Sequence, residues 1–334
     1  MDRSTAPAAA PAPTLTPAGE PTMYFVGVTT GQSSIMRVFP GWMRELGLEA
    51  RIAGIDLPLR AEPERYREVV AFIKRDPLSL GALVTTHKLD LFKAARDLFE
   101  EVGDSAALLD EASSISKRGE RLRAHAMDPI TSGLSLAAIL PDGYWTRQEP
   151  QARLLLLGAG GSSLALTLHL HERARAGGDV PSRVVVTNRS PARLEEMRAI
   201  HARIGFALPA DYVLAPAPAD NDAQVERLPA GSVVVNATGL GKDRPGSPLT
   251  DAVAFPERAV AWDFNYRGEL VFLDQARAQA DERTLRVVDG WTYFIHGWTR
   301  VIAEVFDREI PTSGPAFDRL SQIAADITGR TANA

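Results

Sequence analysis

The stretch "ALVTTHKLDLF", residues 82–92, places a lysine where arginine would be this chain's usual choice. Of its 37 lysines and arginines only five are lysine, at Lys74, Lys88, Lys93, Lys117 and Lys242. Lys88 ends an apolar, strand-like run and directly follows Thr85, Thr86 and His87. Arginine serves as well on a solvated surface but cannot release its proton in a protein, whereas a partly desolvated lysine can. Lys88 is therefore either an acid/base group at a strand end or a solvated residue opening the next helix. His87 is read as positioning the lysine turn. His169 and His171 stand two apart in a helical stretch, so they face different ways and make a poor metal pair. The chain has no cysteine, which excludes disulfides, zinc-thiolate sites and thiol catalysis. No metal site is expected.

A second chemistry is written in "LLLLGAGGSSLALTLHLHERARA". A continuous apolar strand runs into Gly158, Ala159, Gly160, Gly161, Ser162 and Ser163, and a helix follows. Gly158 permits the tight turn and Gly160 lets the backbone approach a pyrophosphate. Gly161 and Ser162 open the helix, whose free N–H groups and dipole favour the anion. Ser163 stands at the third small position. The next strand ends in "VVVTNRSPAR", without the carboxylate that would take a ribose 2′-hydroxyl. Asn188, Arg189, Ser190 and Arg193 suit a 2′-phosphate instead, so the expected cofactor is NADP. The alternative is a pair of ordinary surface arginines.

These residues need an α/β scaffold. A chain of 334 residues favours two domains. Strand-like runs "MYFVGVTT", "ARIAGIDL" and "LGALVTT" alternate with helical "EPERYREVVAFIKRD" and "LDLFKAARDLFEEV", which implies a mostly parallel sheet. A hairpin is expected around Arg118-Gly119 and a helix near 130–140. "LPDGYWTRQEP" is polar and rich in turn residues, and marks a boundary. Six more strands follow, "ARLLLLG", "SRVVVTN", "DYVLAP", "SVVVNAT", "AVAWDFN" and "LRVVD", with helices starting near Ser162, Pro191 and Glu269. The expected domains are a disordered tail over 1–22, a substrate-binding domain over 23–144 completed by helices in 292–334, and a Rossmann-type nucleotide domain over 145–291. The tail's prolines break any apolar h-region, so it is a poor signal peptide. A net charge of −5 argues against nucleic-acid or anionic-membrane partners. No apolar run approaches a membrane span. The lack of cysteine fits a cytoplasmic protein.

With the phosphate loop placed, the chain resembles the shikimate dehydrogenases and their quinate/shikimate relatives from about Tyr24 to about Phe306. The motifs occur in the family's order: "VTTHK", one residue shorter than the usual form, then "AMDPITSG", "GAGGSS", "NRSPAR", "NATGLG", "DFNY" and "DGWTYFIHGW". The resemblance implies NADP-dependent, reversible hydride transfer between the nicotinamide and 3-dehydroshikimate/shikimate, or a related cyclic hydroxy acid, in aromatic amino acid biosynthesis. It implies a Lys88–Asp128 dyad facing an interdomain cleft. It also implies substrate contacts from Ser33, Thr85, Ser114, Tyr266 and His296, cofactor contacts that add Asn236, Thr238, Gly239 and Gly290, and a monomer or homodimer. Several ring-gripping positions depart from the family. Ile35 replaces the second hydroxyl of a Ser-x-Ser pair, Ser114 an asparagine, His296 a glutamine, and the usual "YxP" reads Tyr266-Arg267-Gly268. His296 is either a substrate ligand or a histidine packed among Trp291, Phe294 and Trp298. Arg37 either restores the carboxylate grip or faces water. Two alternatives stay open: the same fold acting on a different hydroxy substrate, and a non-catalytic NADP-responsive binding protein.

Overall fold

The computed structural model describes residues 15–148, 151–242 and 244–330. The chain divides into two compact units, one formed by Met1–Met127 with Trp298–Ala334, the other by Asp128–Gly297.

In the first unit the elements run β1 (Thr22–Gly27), α1 (Ile35–Leu46), β2 (Arg51–Asp56), α2 (Pro63–Arg75), β3 (Ser79–Val84), α3 (Lys88–Ala95), β4 (Glu101–Val102), α4 (Asp104–Leu109), β5 (Ser114–Arg118) and β6 (Arg121–His125). Their sheet has the order β2-β1-β3-β5-β6-β4. β1 pairs in parallel with β2 and β3, while β5 runs antiparallel to both β3 and β6. The sheet is thus mostly parallel, with three parallel pairings, and antiparallel only where β5 meets β3 and β6. The hairpin at Arg118-Gly119, where Gly119 takes φ 61°, forces β6 antiparallel to β5. Tyr24, Val26, Val69, Ile73, Val84 and Phe92 fill one core between α2, α3 and the sheet.

Residues 15–22, assigned to the tail on composition, are held down. Leu15 packs on this core, and the Ala18 N–H donates to Asp76 Oδ2 at 3.0 Å. The rest of the tail lies outside the described residues. α1 has no counterpart among the helices read from the sequence, since Pro40 sits inside it and proline argues against a helix interior. Burial of Ile35, Val38, Phe39, Trp42 and Met43 outweighs that cost.

The second unit contains α5 (Asp128–Ile139), β7 (Leu154–Leu157), α6 (Gly161–Arg175), β8 (Val184–Asn188), α7 (Pro191–Ile204), β9 (Ala210–Leu214), α8 (Pro218–Val225), β10 (Val233–Asn236), β11 (Val260–Asp263), α9 (Val271–Arg277), α10 (Ala280–Arg283) and β12 (Arg286–Val288). All six strands are parallel, in the order β12-β11-β10-β7-β8-β9. The continuous apolar runs "LLLL" and "VVV" follow from this, because a parallel sheet is covered on both faces. α5, which the sequence reading groups with the first domain, packs along α6. The fit is tight at Gly133, where a Cβ would stand 2.1 Å from His169 Nδ1.

α11 (Trp291–Phe306) returns the chain to the first unit, and α12 (Pro315–Thr328) packs on α1 there. Glu304 anchors the end of α11 to the hairpin. Its Oε1 accepts from Ser116 Oγ at 3.1 Å and lies 2.7 Å from His125 Nε2. The His125 contact holds its carboxyl at about 2 despite burial.

Candidate active site

In the first unit, parallel strands β1 and β3 end at Gly27 and Val84, and Ser33, Thr85 and Lys88 follow those ends along the chain. Lys88 is the first residue of α3, half-buried, with its N–H on Thr85 O at 3.1 Å. His87, 1 % exposed, holds the turn. A carbonyl only accepts, so Nε2 carries the proton it donates to Leu57 O at 3.1 Å. Nδ1 then accepts from Tyr66 O–H at 3.1 Å, and Tyr66 itself accepts from the Ala61 N–H. Burial pushes the His87 pKa down, which keeps this neutral tautomer. His87 thus ties the turn before Lys88 to α2 and to the end of β2.

Around Lys88, Thr85 is half-buried and its hydroxyl donates to Val26 O at 3.3 Å. Ser33 is half-buried ahead of α1, and Ile35 is fully buried in the first turn of that helix. Arg37 lies exposed and reaches Ile327 O at the far end of α12. Ser114 opens β5 opposite Leu83 and His125. It is fully buried, and its Oγ has no hydrogen-bond partner among the described residues. Its neighbour Ser113 ties the segment together. The Ala112 N–H donates to Lys88 O at 3.2 Å, the Ser113 N–H to His125 O at 2.9 Å, and the Met127 N–H to Ser113 Oγ at 2.7 Å.

The second unit carries the glycine loop between β7 and α6 that the sequence reading takes as a phosphate site. Gly158 takes φ 108°, and a Cβ there would stand 3.0 Å from Ala237 O. Any other residue would be strained at that φ and crowded against the next loop. Ser163 is buried, and its Oγ donates to Gly158 O at 2.5 Å, closing the turn. Gly160 caps α6, and a Cβ on it would meet nothing within 4 Å. The backbone is therefore uncovered at that point. Gly161 and Ser162 form the first turn of α6.

At the end of β8, Asn188 is half-buried, Arg189 is exposed, and Ser190 caps α7. Arg193 is exposed and pairs with Glu196 at 2.7 Å. Arg189 has no ion-pair partner among the described residues. The two arginines are therefore not equivalent: Arg193 is engaged by a carboxylate, whereas Arg189 is not.

Beyond β10 and β11 a buried polar network holds the loop 236–240. Asn236 Oδ1 accepts from Thr238 N at 3.1 Å and Thr238 Oγ1 at 2.7 Å. Asn236 Nδ2 donates to Asp263 Oδ2 at 3.0 Å, and the Asn265 N–H donates to Asp263 Oδ1 at 2.8 Å. Leu240 O accepts from the side-chain amides of both Asn236 and Asn265. Asp263 is fully buried, and burial pushes its carboxyl up to about 6, against these hydrogen bonds. Gly239 takes φ 73°, and Gly290 packs so tightly that a Cβ would stand 2.1 Å from Phe264 O.

The remaining sequence-selected residues of this unit are Asp128, Tyr266 and His296. Asp128 is the half-buried first residue of α5. Tyr266 sits in an aromatic cluster, its ring 5.5 Å from Trp291 and 4.7 Å from Phe294. His296 is 1 % exposed on α11. Trp298, in the first unit, packs edge-on against Phe25 at 5.0 Å. His169 and His171 do face different partners, Gly133 for one and Phe206 for the other.

No family profile matches the chain. A shikimate dehydrogenase (NADP(+)) of Rhodopseudomonas palustris is 31% identical over 259 residues, which cover 76% of this chain and 78% of that protein. The chain belongs to the shikimate dehydrogenase family. Solved structures agree on the fold. Shikimate dehydrogenase of Aquifex aeolicus superimposes with a TM-score of 0.70 at 18% identity, covering 94% of this chain and 99% of that one. A 5-ketofructose reductase of Gluconobacter superimposes with a TM-score of 0.63 at 17% identity, covering 92% and 99%. Within the shikimate dehydrogenase fold, Lys88, Thr85, Ser33 and Ser114 lie in the first unit, and every cofactor residue chosen from the sequence lies in the second. Sequence reasoning passed over Ser113 and the Asp263–Asn265 pair. "ASSIS" offers three serines with nothing to rank them, and "DFNY" shows a carboxylate but not its burial.

Proposed function

We propose that this protein catalyses reversible, NADP-dependent hydride transfer between the nicotinamide and the carbonyl or hydroxyl of 3-dehydroshikimate/shikimate, or of a closely related cyclic hydroxy acid. The observation that carries the reading is Lys88 itself: a half-buried lysine opening α3, its turn fixed by the neutral His87, in a chain 31% identical to an NADP(+) shikimate dehydrogenase.

NADPH, when bound, supplies the hydride. The residues that would hold it are the 158–163 loop and the α6 N-terminus for the pyrophosphate, Arg189, Ser190 and Arg193 for the 2′-phosphate, and the 236–240 loop with Gly290 behind the ring. Lys88 Nζ gives a proton to the carbonyl oxygen during reduction and takes it back from the hydroxyl during oxidation. Asp128 orients that hydroxyl. Ser33, Thr85, Ser114, Tyr266 and His296 bind the ring substituents.

The test is nicotinamide absorbance with purified protein, NADPH and 3-dehydroshikimate, repeated with Lys88→Met. Rapid oxidation that the variant loses is the expected result. A second reading keeps the chemistry and changes the substrate. It is favoured by Ile35, a fully buried apolar side chain at the place where the resemblance to the family implies the second hydroxyl of a Ser-x-Ser pair. A structural neighbour named as a 5-ketofructose reductase illustrates such a change. NADPH binding without oxidation by 3-dehydroshikimate would select this second reading and move the search to other cyclic and open-chain hydroxy ketones.

A further inference from the structure

We propose that Asp263 is a positioning residue for the nicotinamide nucleotide, acting through Asn236 to fix the loop 236–240. The inference rests on the reading of that loop as part of the NADP site.

The geometry turns on the polarity of the donors. An ionised carboxylate only accepts, so Asn236 must turn its NH₂ toward Asp263 and its carbonyl toward Thr238. That carbonyl then takes both the Thr238 N–H and its hydroxyl, and the Thr238 hydroxyl takes the Leu240 N–H at 3.1 Å. Asn265 closes the circuit, with its N–H on Asp263 Oδ1 at 2.8 Å and its amide on Leu240 O at 3.0 Å. The same Asn265 offers its carbonyl to the Gly290 N–H at 2.9 Å. One carboxylate thus sets the orientation of three segments, 236–240, 263–265 and the start of α11.

This arrangement is costly to the fold. Asp263 has no cation paired with it among the described residues, and burial together with the charge of Asp289 disfavours its ionised form. A buried carboxylate that burdens the fold at the rim of a binding site is the pattern expected of a group kept for function.

Asp263→Asn keeps shape and volume but presents an amide to an amide, so Asn236 loses its fixed sense. The experiment titrates NADPH by its fluorescence enhancement against wild type and Asp263→Asn, with Tm measured on both. We expect the NADPH Kd to rise about tenfold while Tm at pH 7 stays level or rises. An unchanged Kd overturns the inference, and so does a weaker Kd that comes with a lower Tm, since that marks a merely structural role. Asn265→Ala removes the Leu240 tie and the Asn265 side-chain contact with Asp263, and leaves the carboxylate, its bond from the Asn265 N–H and its bond from Asn236 in place. Its NADPH Kd is expected to rise several-fold at unchanged Tm, and no rise would overturn the inference even if Asp263→Asn fails to fold. Wild-type protein that binds no NADPH would instead overturn the nucleotide reading, and this inference with it.

Discussion

Lys88 poses the sharpest question at the scale of single residues, because charge and proton transfer can be separated there. Arginine keeps a cation at the N-terminal turn of α3 and spans similar length, yet holds its proton at any working pH. Lys88→Arg is therefore expected to lower kcat by about 10²–10⁴-fold, the usual worth of a general acid, with NADPH affinity unchanged. Steady-state kinetics beside a fluorescence titration read both. An arginine variant with near wild-type kcat would show that Lys88 acts only as a charge. The sequence signalled this residue through scarcity: lysine is rare in the chain, and this one sits at a strand end. The sequence could not show what holds it. His87 is fixed by Tyr66 from α2 and by Leu57 beyond β2, residues 21 and 30 positions away. Ser113 likewise earns its place only when β5 and β6 pair. Such contacts depend on topology, and no local pattern encodes them.

Elements show which features are readable and which are not. The second unit was legible almost strand by strand, because a doubly covered parallel sheet writes unbroken apolar runs, and the glycine loop and the "NRSPAR" stretch follow directly on strand ends. The first unit was less so. α1 is concealed by Pro40, whereas the hairpin that makes the sheet antiparallel at β5 was legible in the turn at Arg118-Gly119. Where α5 packs was also hidden, since its contact with α6 depends on a glycine meeting a histidine. The end of β8 carries a prediction of its own. Arg189 is exposed and without an ion-pair partner among the described residues, whereas Arg193 is held by Glu196. If both face the 2′-phosphate, Arg189→Ala should weaken NADPH by roughly tenfold or more, the worth of a charge-assisted hydrogen bond, and leave NADH unchanged. Arg193→Ala should cost less, because its cation is already partly neutralised. Dissociation constants for both nucleotides check this. Equal losses for NADH and NADPH would remove the arginines from the 2′-phosphate.

The whole molecule responds to acid through buried groups that oppose one another within a single unit. His201, 2 % exposed, donates from Nε2 to Thr167 Oγ1, whose own proton goes to Leu164 O, and accepts the Tyr212 O–H on Nδ1. Protonation would charge a buried ring and displace Tyr212, and burial lowers its pKa to about 4. The unfolded chain therefore takes up a proton at this histidine first, and stability is lost as pH falls from about 6.5 to about 4. Asp263 works the other way. With its carboxyl raised to about 6, the folded state binds the proton first, so stability is gained as pH falls from about 6 to about 4. Each effect is worth on the order of 3 kcal/mol over its window, at about 1.4 kcal/mol per pKa unit. Glu304, in the first unit, adds a later loss. Its carboxyl is held at about 2, so the stability it lends is present above its ordinary pKa and disappears as pH falls through about 2. The second unit should accordingly be nearly level in stability between pH 6 and 4. Asp263→Asn removes the compensating group and should expose a decline of about 3 kcal/mol across that interval. His201→Gln should expose a rise of similar size. Urea denaturation at half-unit pH steps distinguishes the three proteins. Parallel curves for wild type and Asp263→Asn would mean that Asp263 is ionised in the folded state throughout, with the Asn236 and Asn265 donors outweighing its burial.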